Sequence, residues 1–188
     1  SGLAVAFSSQ TLGVCTVATD VVTMVTAGTC TIRASQAGDG DYLAAADVER
    51  SFQVVDTVSI VQTTLPNGTF DAVYNQQLSA TGGNGSYTYA LTAGALPNGI
   101  TLSGAGLISG TPTVPGAYNF TVTATDSTPV GNGGPFAGSQ AFALSIDQAG
   151  QTITVPDPGT QPYAVGGSFG LTATASSGLP VSYAIAPA

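Results

Sequence analysis

The sequence predicts an all-β protein built from tandem β-sandwich units, on three observations. Its 188 residues hold 25 glycines and 11 prolines, set between short runs of Val, Thr, Ala and Tyr, the composition of many strands joined by turns. Tyr118-Asn119-Phe120-Thr121-Val122-Thr123-Ala124 alternates apolar with polar, the period of two of a half-buried strand. Ser177-Gly178-Leu179-Pro180-Val181-Ser182-Tyr183 reprises Ser1-Gly2-Leu3-Ala4-Val5-Ala6-Phe7 at an offset of 176 residues, as in a stretch cut from a periodic chain.

Taken in order, residues 14–17, 21–25 and 29–34 read as three short strands. In the last, Cys30, Ile32 and Ala34 share one face and Thr29, Thr31 and Arg33 the other. The Gly38–Tyr42 turn follows, and residues 51–55 close this unit. Residues 55–65 read as a connection, and Pro66-Asn67-Gly68 as a turn. Strands are then expected at 87–91, 100–102 and 107–109, followed by a turn at Pro115-Gly116, where Pro presets φ and Gly accepts a positive one. Tyr118, Phe120, Val122 and Ala124 should face a core. Residues 169–174 and 181–184 look like the first strands of a further unit that stays unfinished.

The expected organisation is therefore 1–54 as the C-terminal part of one repeat, 55–150 as a complete domain, and 151–188 as the N-terminal part of the next repeat. Joined through the 176-residue offset, 151–176 and 1–54 make one permuted unit of 80 residues beside one of 96. On this expectation Ser1 lies inside a repeat, and any export signal or anchor lies outside the fragment.

Charge excludes whole classes of partner. Arg33 and Arg50 are the only cations, His is absent, and ten acids give a formal net charge of −8. Phosphate backbones and anionic membrane surfaces need several Lys or Arg contacts, so nucleic acid is not a partner. The sequence has no run of 18 apolar residues, so no helical membrane insertion is expected. With only 6% charged residues, the surface should be Thr, Ser, Asn, Gln and small apolar groups, suited to stacking. Cys15 and Cys30 are the only cysteines. Without His they cannot complete a zinc site, and a disulfide is the better reading. For a loop of this length it would contribute about 3 kcal/mol in the chain-entropy model, and it implies an extracellular or periplasmic compartment.

The run from Ala95 to Asp126, ALPNGITLSGAGLISGTPTVPGAYNFTVTATD, resembles the immunoglobulin-like (Ig-like) modules of bacterial surface proteins and adhesins. Their pattern is LPxGL/I, then GxISGTPT, then PGxYxFTVxAxD, and the likeness covers about 65–147. Residues VCTV and VTMVTAGTCTIRASQAGDGDYLAAADVERSFQV near the start, with QTITV and FGLTATASSGLPVSYA near the end, are similar to a second bacterial Ig-like repeat, of MBG type. That second resemblance accounts for the disulfide and supports the cyclic joining. Together they imply a long, secreted, repetitive protein whose modules seldom carry catalytic residues.

No catalytic residue emerges from the sequence. Without His or Lys no nucleophile has an obvious base, and Glu49 is the sole Glu, leaving only an unsupported carboxylate pair. Asp39, Asp41 and Asp126 are the calcium candidates. The Asp39-Gly40-Asp41 opening is not an EF-hand, because the twelfth position is Arg50 where a bidentate Glu belongs. These carboxylates read first as solvated turn residues, with an interdomain calcium as the alternative. Asn67-Gly68-Thr69, Asn84-Gly85-Ser86 and Asn119-Phe120-Thr121 fit the glycosylation pattern but read as turn and strand polar residues. Tyr87, Tyr89, Tyr118 and Tyr183 read as core aromatics more than as a sugar platform.

The expected function is structural: a segment of a repetitive extracellular surface protein, forming a stalk or filament with adhesion at a tip or along its length. Its expected partners are other copies of itself, with a cell-surface or glycan ligand as a further one. The alternative is a carbohydrate- or receptor-binding module of a secreted multidomain protein.

Overall fold

The computed structural model describes residues 2–162 and 165–184. Sixteen short strands are present among them: β1 (Ala6–Ser9), β2 (Cys15–Ala18), β3 (Val21–Met24), β4 (Gly28–Ser35), β5 (Val48–Val54), β6 (Ser59–Ile60), β7 (Gly68–Thr69), β8 (Tyr74–Gln77), β9 (Ala80–Thr81), β10 (Tyr87–Gly94), β11 (Ile100–Leu102), β12 (Leu107–Gly110), β13 (Gly116–Asp126), β14 (Ala137–Asp147), β15 (Ile153–Thr154) and β16 (Thr174–Ala175). One helical turn, Val130–Asn132, sits between β13 and β14. The chain is all-β.

Residues 58–147 form an Ig-like sandwich. One sheet has the order β10-β13-β14-β7 and faces a second of order β11-β12-β8, with β6-β9 as a short pair beside them. The long alternating run sets the frame: β13 and β14 are antiparallel over Gly116↔Ile146 to Thr125↔Ala137, and β7 adds parallel to the end of β14. Phe120, Val122 and Ala124 are buried as the alternation requires, and Tyr118 packs against their cluster. Opposite them Phe142, Leu144 and Ile146 face the same interior, and the Phe120 and Phe142 rings meet at 5.9 Å. Ile108 and Ile100 close the core from the facing sheet. Tyr87 and Tyr89 join it as expected.

Several sequence readings are corrected. The stretch read as a connection, 55–65, supplies strand β6 and three core residues, Val58, Ile60 and Leu65; its apolar residues are spaced irregularly around Thr and Gln, which hid a two-residue strand. Strands β1, β8 and β14 were not anticipated. In β8, YNQQ, only Tyr74 signals burial, whereas β14 carries a clear Phe142/Leu144/Ile146 alternation behind a Gly/Ser/Gln start. Residues 169–174 contribute only Thr174 to a strand, and 181–184 form none. Tyr183 is 58% exposed instead of packed. Alternation describes the side chains of a strand, but a ladder also needs a partner backbone, and apart from Thr174, paired with Thr154, these segments have none among the described residues.

Upstream of the sandwich, β1-β4-β5 form an antiparallel sheet and β2-β3 a hairpin. Cys15 and Cys30, both fully buried, are joined as a disulfide that ties β2 to β4. Downstream, β15 and β16 pair antiparallel.

Candidate functional site at the sandwich poles

The chain enters and leaves the sandwich at opposite ends. At the upstream pole the main chain at Val58 lies against Gly138, where a Cβ would come within 1.9 Å of the Val58 carbonyl oxygen, so β14 begins beside the incoming chain. At the downstream pole β14 ends at Asp147, whose carbonyl accepts from Phe70 N–H at 2.8 Å. The nine residue steps from Gly138 to Asp147, at about 3.3 Å each, separate the poles by about 30 Å.

Asp126 organises the upstream pole. It ends β13, is buried, and receives four hydrogen bonds. Phe136 N–H and Thr128 N–H donate to Oδ1 at 2.8 and 3.2 Å, and Asn84 N–H and Thr128 Oγ1 donate to Oδ2 at 3.0 and 2.6 Å. Four donors fill the four lone-pair directions of a carboxylate. Burial pushes the Asp126 carboxyl up, but the Thr128 hydroxyl and the Phe136, Asn84 and Thr128 N–H groups outweigh it and hold the pKa below its ordinary value. Gly83, at φ +56°, leaves room for the carboxylate: a Cβ there would lie 2.4 Å from Oδ2. Gly83 N–H also donates to Asp56 O at 2.8 Å, and Tyr87 Oη donates to Gly82 O. One carboxylate thus ties together the 82–84, 127–128 and 136 loops, and Gly83 N–H links them to the incoming segment at Asp56. A cleft lined by Phe52, Asn84, Thr128, Pro129 and Phe136 lies alongside.

The other carboxylates named from the sequence lie elsewhere. Asp39 Oδ1 accepts from the N–H groups of Asp41 and Tyr42, each at 2.9 Å, in an exposed turn, and Asp41 is exposed. Neither joins Asp126, and among the described residues no three His, Cys, Asp or Glu side chains converge as metal ligands. Sequence reasoning named Asp126, and Asn84 only as a turn residue within a glycosylation pattern, but missed Thr128 and Gly83. The Asp-x-Thr spacing after a strand was the available signal, since a carboxylate there folds back on the N–H two residues on.

The downstream pole is held by Tyr74, whose hydroxyl donates to Pro66 O at 3.0 Å and whose pKa burial raises. Asn67 Nδ2 donates to Asp147 Oδ2 at 3.2 Å. Of the three glycosylation-pattern residues, Asn67 and Asn84 serve these poles, and Asn119 is exposed on β13. Between the poles the outer face of β10-β13-β14 is hydroxyl and methyl. Thr92 Oγ1 meets Thr123 Oγ1 at 2.9 Å, and Thr123 Oγ1 meets Ser139 Oγ at 2.8 Å. Among the described residues no helix is long and apolar enough to cross a membrane.

Residues 54–146 match the family described as "Putative Ig domain". No curated protein sequence matches the chain. Solved structures with similarity include the C-terminal 282-residue fragment of intimin in complex with the translocated intimin receptor intimin-binding domain. That match has 20% identity and TM-score 0.41, and covers 81% of this chain and 54% of that one. The protocadherin GammaB4 extracellular domain matches with 16% identity and TM-score 0.41, covering 84% and 30%. A structure described as a "putative alpha-galactosidase" from Bacteroides fragilis matches with 18% identity and TM-score 0.39, covering 47% and 17%. The chain thus spans about half or less of the length of each.

Proposed function

Because residues 54–146 match the Putative Ig domain family, we propose that this chain is a structural segment of a repetitive extracellular bacterial surface protein, a stalk or filament with adhesion at its tip or along its length. The observation that carries the reading is the placement of the two chain connections at opposite poles, about 30 Å apart along β14. A module inserted this way adds length to whatever it joins. A module with adjacent connections would add bulk at one point. The Asp126 knot supports the same role, because the three loops it joins hold the incoming segment through the Gly83–Asp56 hydrogen bond. The buried Cys15–Cys30 bond suits an oxidising compartment, and the hydroxyl-rich face suits a surface in permanent contact with water.

Small-angle scattering from dilute monomer tests the extended reading. A compact body of this length has a radius of gyration of about 16 Å. A stalk segment gives a clearly larger value and an elongated distance distribution; a value near 16 Å would refute the proposal.

A further inference from the structure

The central sandwich carries three Asn-x-Ser/Thr sequences, and folding separates one of them from the other two. Asn67 Nδ2 donates to Asp147 Oδ2 at 3.2 Å, and Gly68 and Thr69 beside it are paired with β14. Asn84 is built into the upstream pole. Its N–H donates to Asp126, and its Oδ1 accepts from Ser86 N–H and Ser127 Oγ, each at 3.4 Å. Asn119 is exposed, and no hydrogen bond holds its side-chain amide among the described residues.

Strand β13 presents Asn119 and Thr121 together. Residues two apart on a strand point the same way, and Phe120 between them is 3% exposed, packed near Phe142 in the core. That burial fixes Asn119 and Thr121 on the outer face. Their neighbours there are small. Asn119 stands opposite Ala143, and Thr121 stands opposite Ala141 on one side and Ala93 on the other. Gly94, next along β10, has φ +73°, and a Cβ there would lie 2.2 Å from the Asn119 carbonyl oxygen. No side chain can therefore rise beside Asn119 on that strand. These residues line a shallow trough of about 390 Å³ that has no charged residue in its lining. Asn119 is opposite Ala143, four residue steps and about 13 Å short of Asp147, so a group attached to it leaves both chain connections clear.

We propose that Asn119 is a site of N-glycosylation, carrying an oligosaccharide transferred from a lipid pyrophosphate donor. The acceptor pattern needs an amide and a hydroxyl two residues on. A sugar added to the unfolded chain is kept only where the native fold has room for it. Asn119 with Thr121 is the pair that folding leaves open and on one face. In the step, Asn119 Nδ2 bonds to the anomeric carbon of the sugar and gives up one proton. The bond from that carbon to the pyrophosphate oxygen breaks, and the lipid pyrophosphate leaves with the electron pair. The inference rests on the extracellular placement in the reading above, since the donor is met during export. It also gives the water-facing sheet a bulky, solubilising cover, which a chain with 6% charged residues does not obtain from charge.

Mass spectrometry of the protein from fractionated cells that make it tests this. Cleavage before Asp yields fragment 56–70, with Asn67, and fragment 71–125, with Asn84 and Asn119. Fragment 71–125 should exceed its sequence mass by whole sugar residues, and backbone fragmentation should place them on Asn119. Fragment 56–70 should keep its sequence mass. Asn119→Gln and Thr121→Ala should each return 71–125 to its sequence mass, and Thr121→Ser, which keeps the hydroxyl, should retain the sugar. All three substitutions lie on the outer face and leave the core unchanged. Protein outside the cytosol with a bare Asn119, or sugar that persists in Asn119→Gln, overturns the inference and leaves the stalk reading in place. Protein found only in the cytosol overturns both.

Discussion

Asp126 joins three loops through one carboxylate, and its neighbours show how closely the site is built around it. The Asp126→Asn variant keeps the shape but replaces one acceptor oxygen with an NH2 group that faces N–H or hydroxyl donors. The buried donors it leaves unpaired should lower the central melting transition by roughly 5–10 °C, as read by calorimetry. The carboxyl is also the group through which acid acts here. Its folded pKa lies below the ordinary 3.8, so the unfolded chain takes up the proton first as pH falls. The stabilisation is whole above about pH 4 and is lost as pH drops through the folded pKa. Melting temperatures measured from pH 7 down to pH 2 should hold level and then fall below about pH 3.8, and Asp126→Asn should flatten that fall. Gly83→Ala places a methyl group against Oδ2 at a left-handed φ of +56°. It should cost about 1–3 kcal/mol, measured by denaturant unfolding.

At the level of strands and sheets, the two parts of the chain are held by different means. The 58–147 sandwich relies on packed apolar faces, and truncating Phe142, buried opposite Phe120, to Ala should cost about 3–5 kcal/mol in that unit alone. The 2–54 sheet has only its two cysteines buried among its apolar residues, so it depends on the cross-link. Reduction should weaken it by about 3 kcal/mol and leave the central transition where it was; a central transition that moves on reduction would refute this division. The same contrast decides how far the fold was legible. The motif from Ala95 to Asp126 announces its strands because each turn needs a particular Gly or Pro and each strand alternates over a core the chain itself provides. The cysteine pair was equally readable, since only two thiols and no His are present. Strands β6 and β7 were hidden because two residues are too few to show a period. Residues 169–174 and 181–184 carry the pattern of strands without a sheet to join, so periodicity reported their capacity and topology withheld the structure. Gly83 and Asn84 were unreadable because their roles depend on contact with Asp126, some forty residues away in sequence.

For the whole molecule, the pole-to-pole path fixes the dimension a stalk would have. Each sandwich, with its loops, contributes about 35–45 Å along the chain, so if the chain repeats every 176 residues with two sandwiches per repeat, the axial period should be about 70–90 Å. Tilting of successive units shortens that period and never lengthens it. The forces between units follow from composition. The chain has two cations, and the ion pair present among the described residues, Arg33 with Asp47 at 3.4 Å, is solvent-exposed on both sides, where such a pair is worth little and salt screens it. Strand-edge hydrogen bonds and Thr, Ser and Ala surfaces would carry contacts between units instead, and these are not weakened by sodium chloride. With a net charge of −8, neighbouring copies repel at low salt, and screening that repulsion favours contact. Assembly should therefore hold or increase between about 0.05 and 1 M sodium chloride, with the axial period in electron micrographs unchanged. Filaments that dissolve as salt rises would show that charge pairing, and not strand-edge contact, holds the units together.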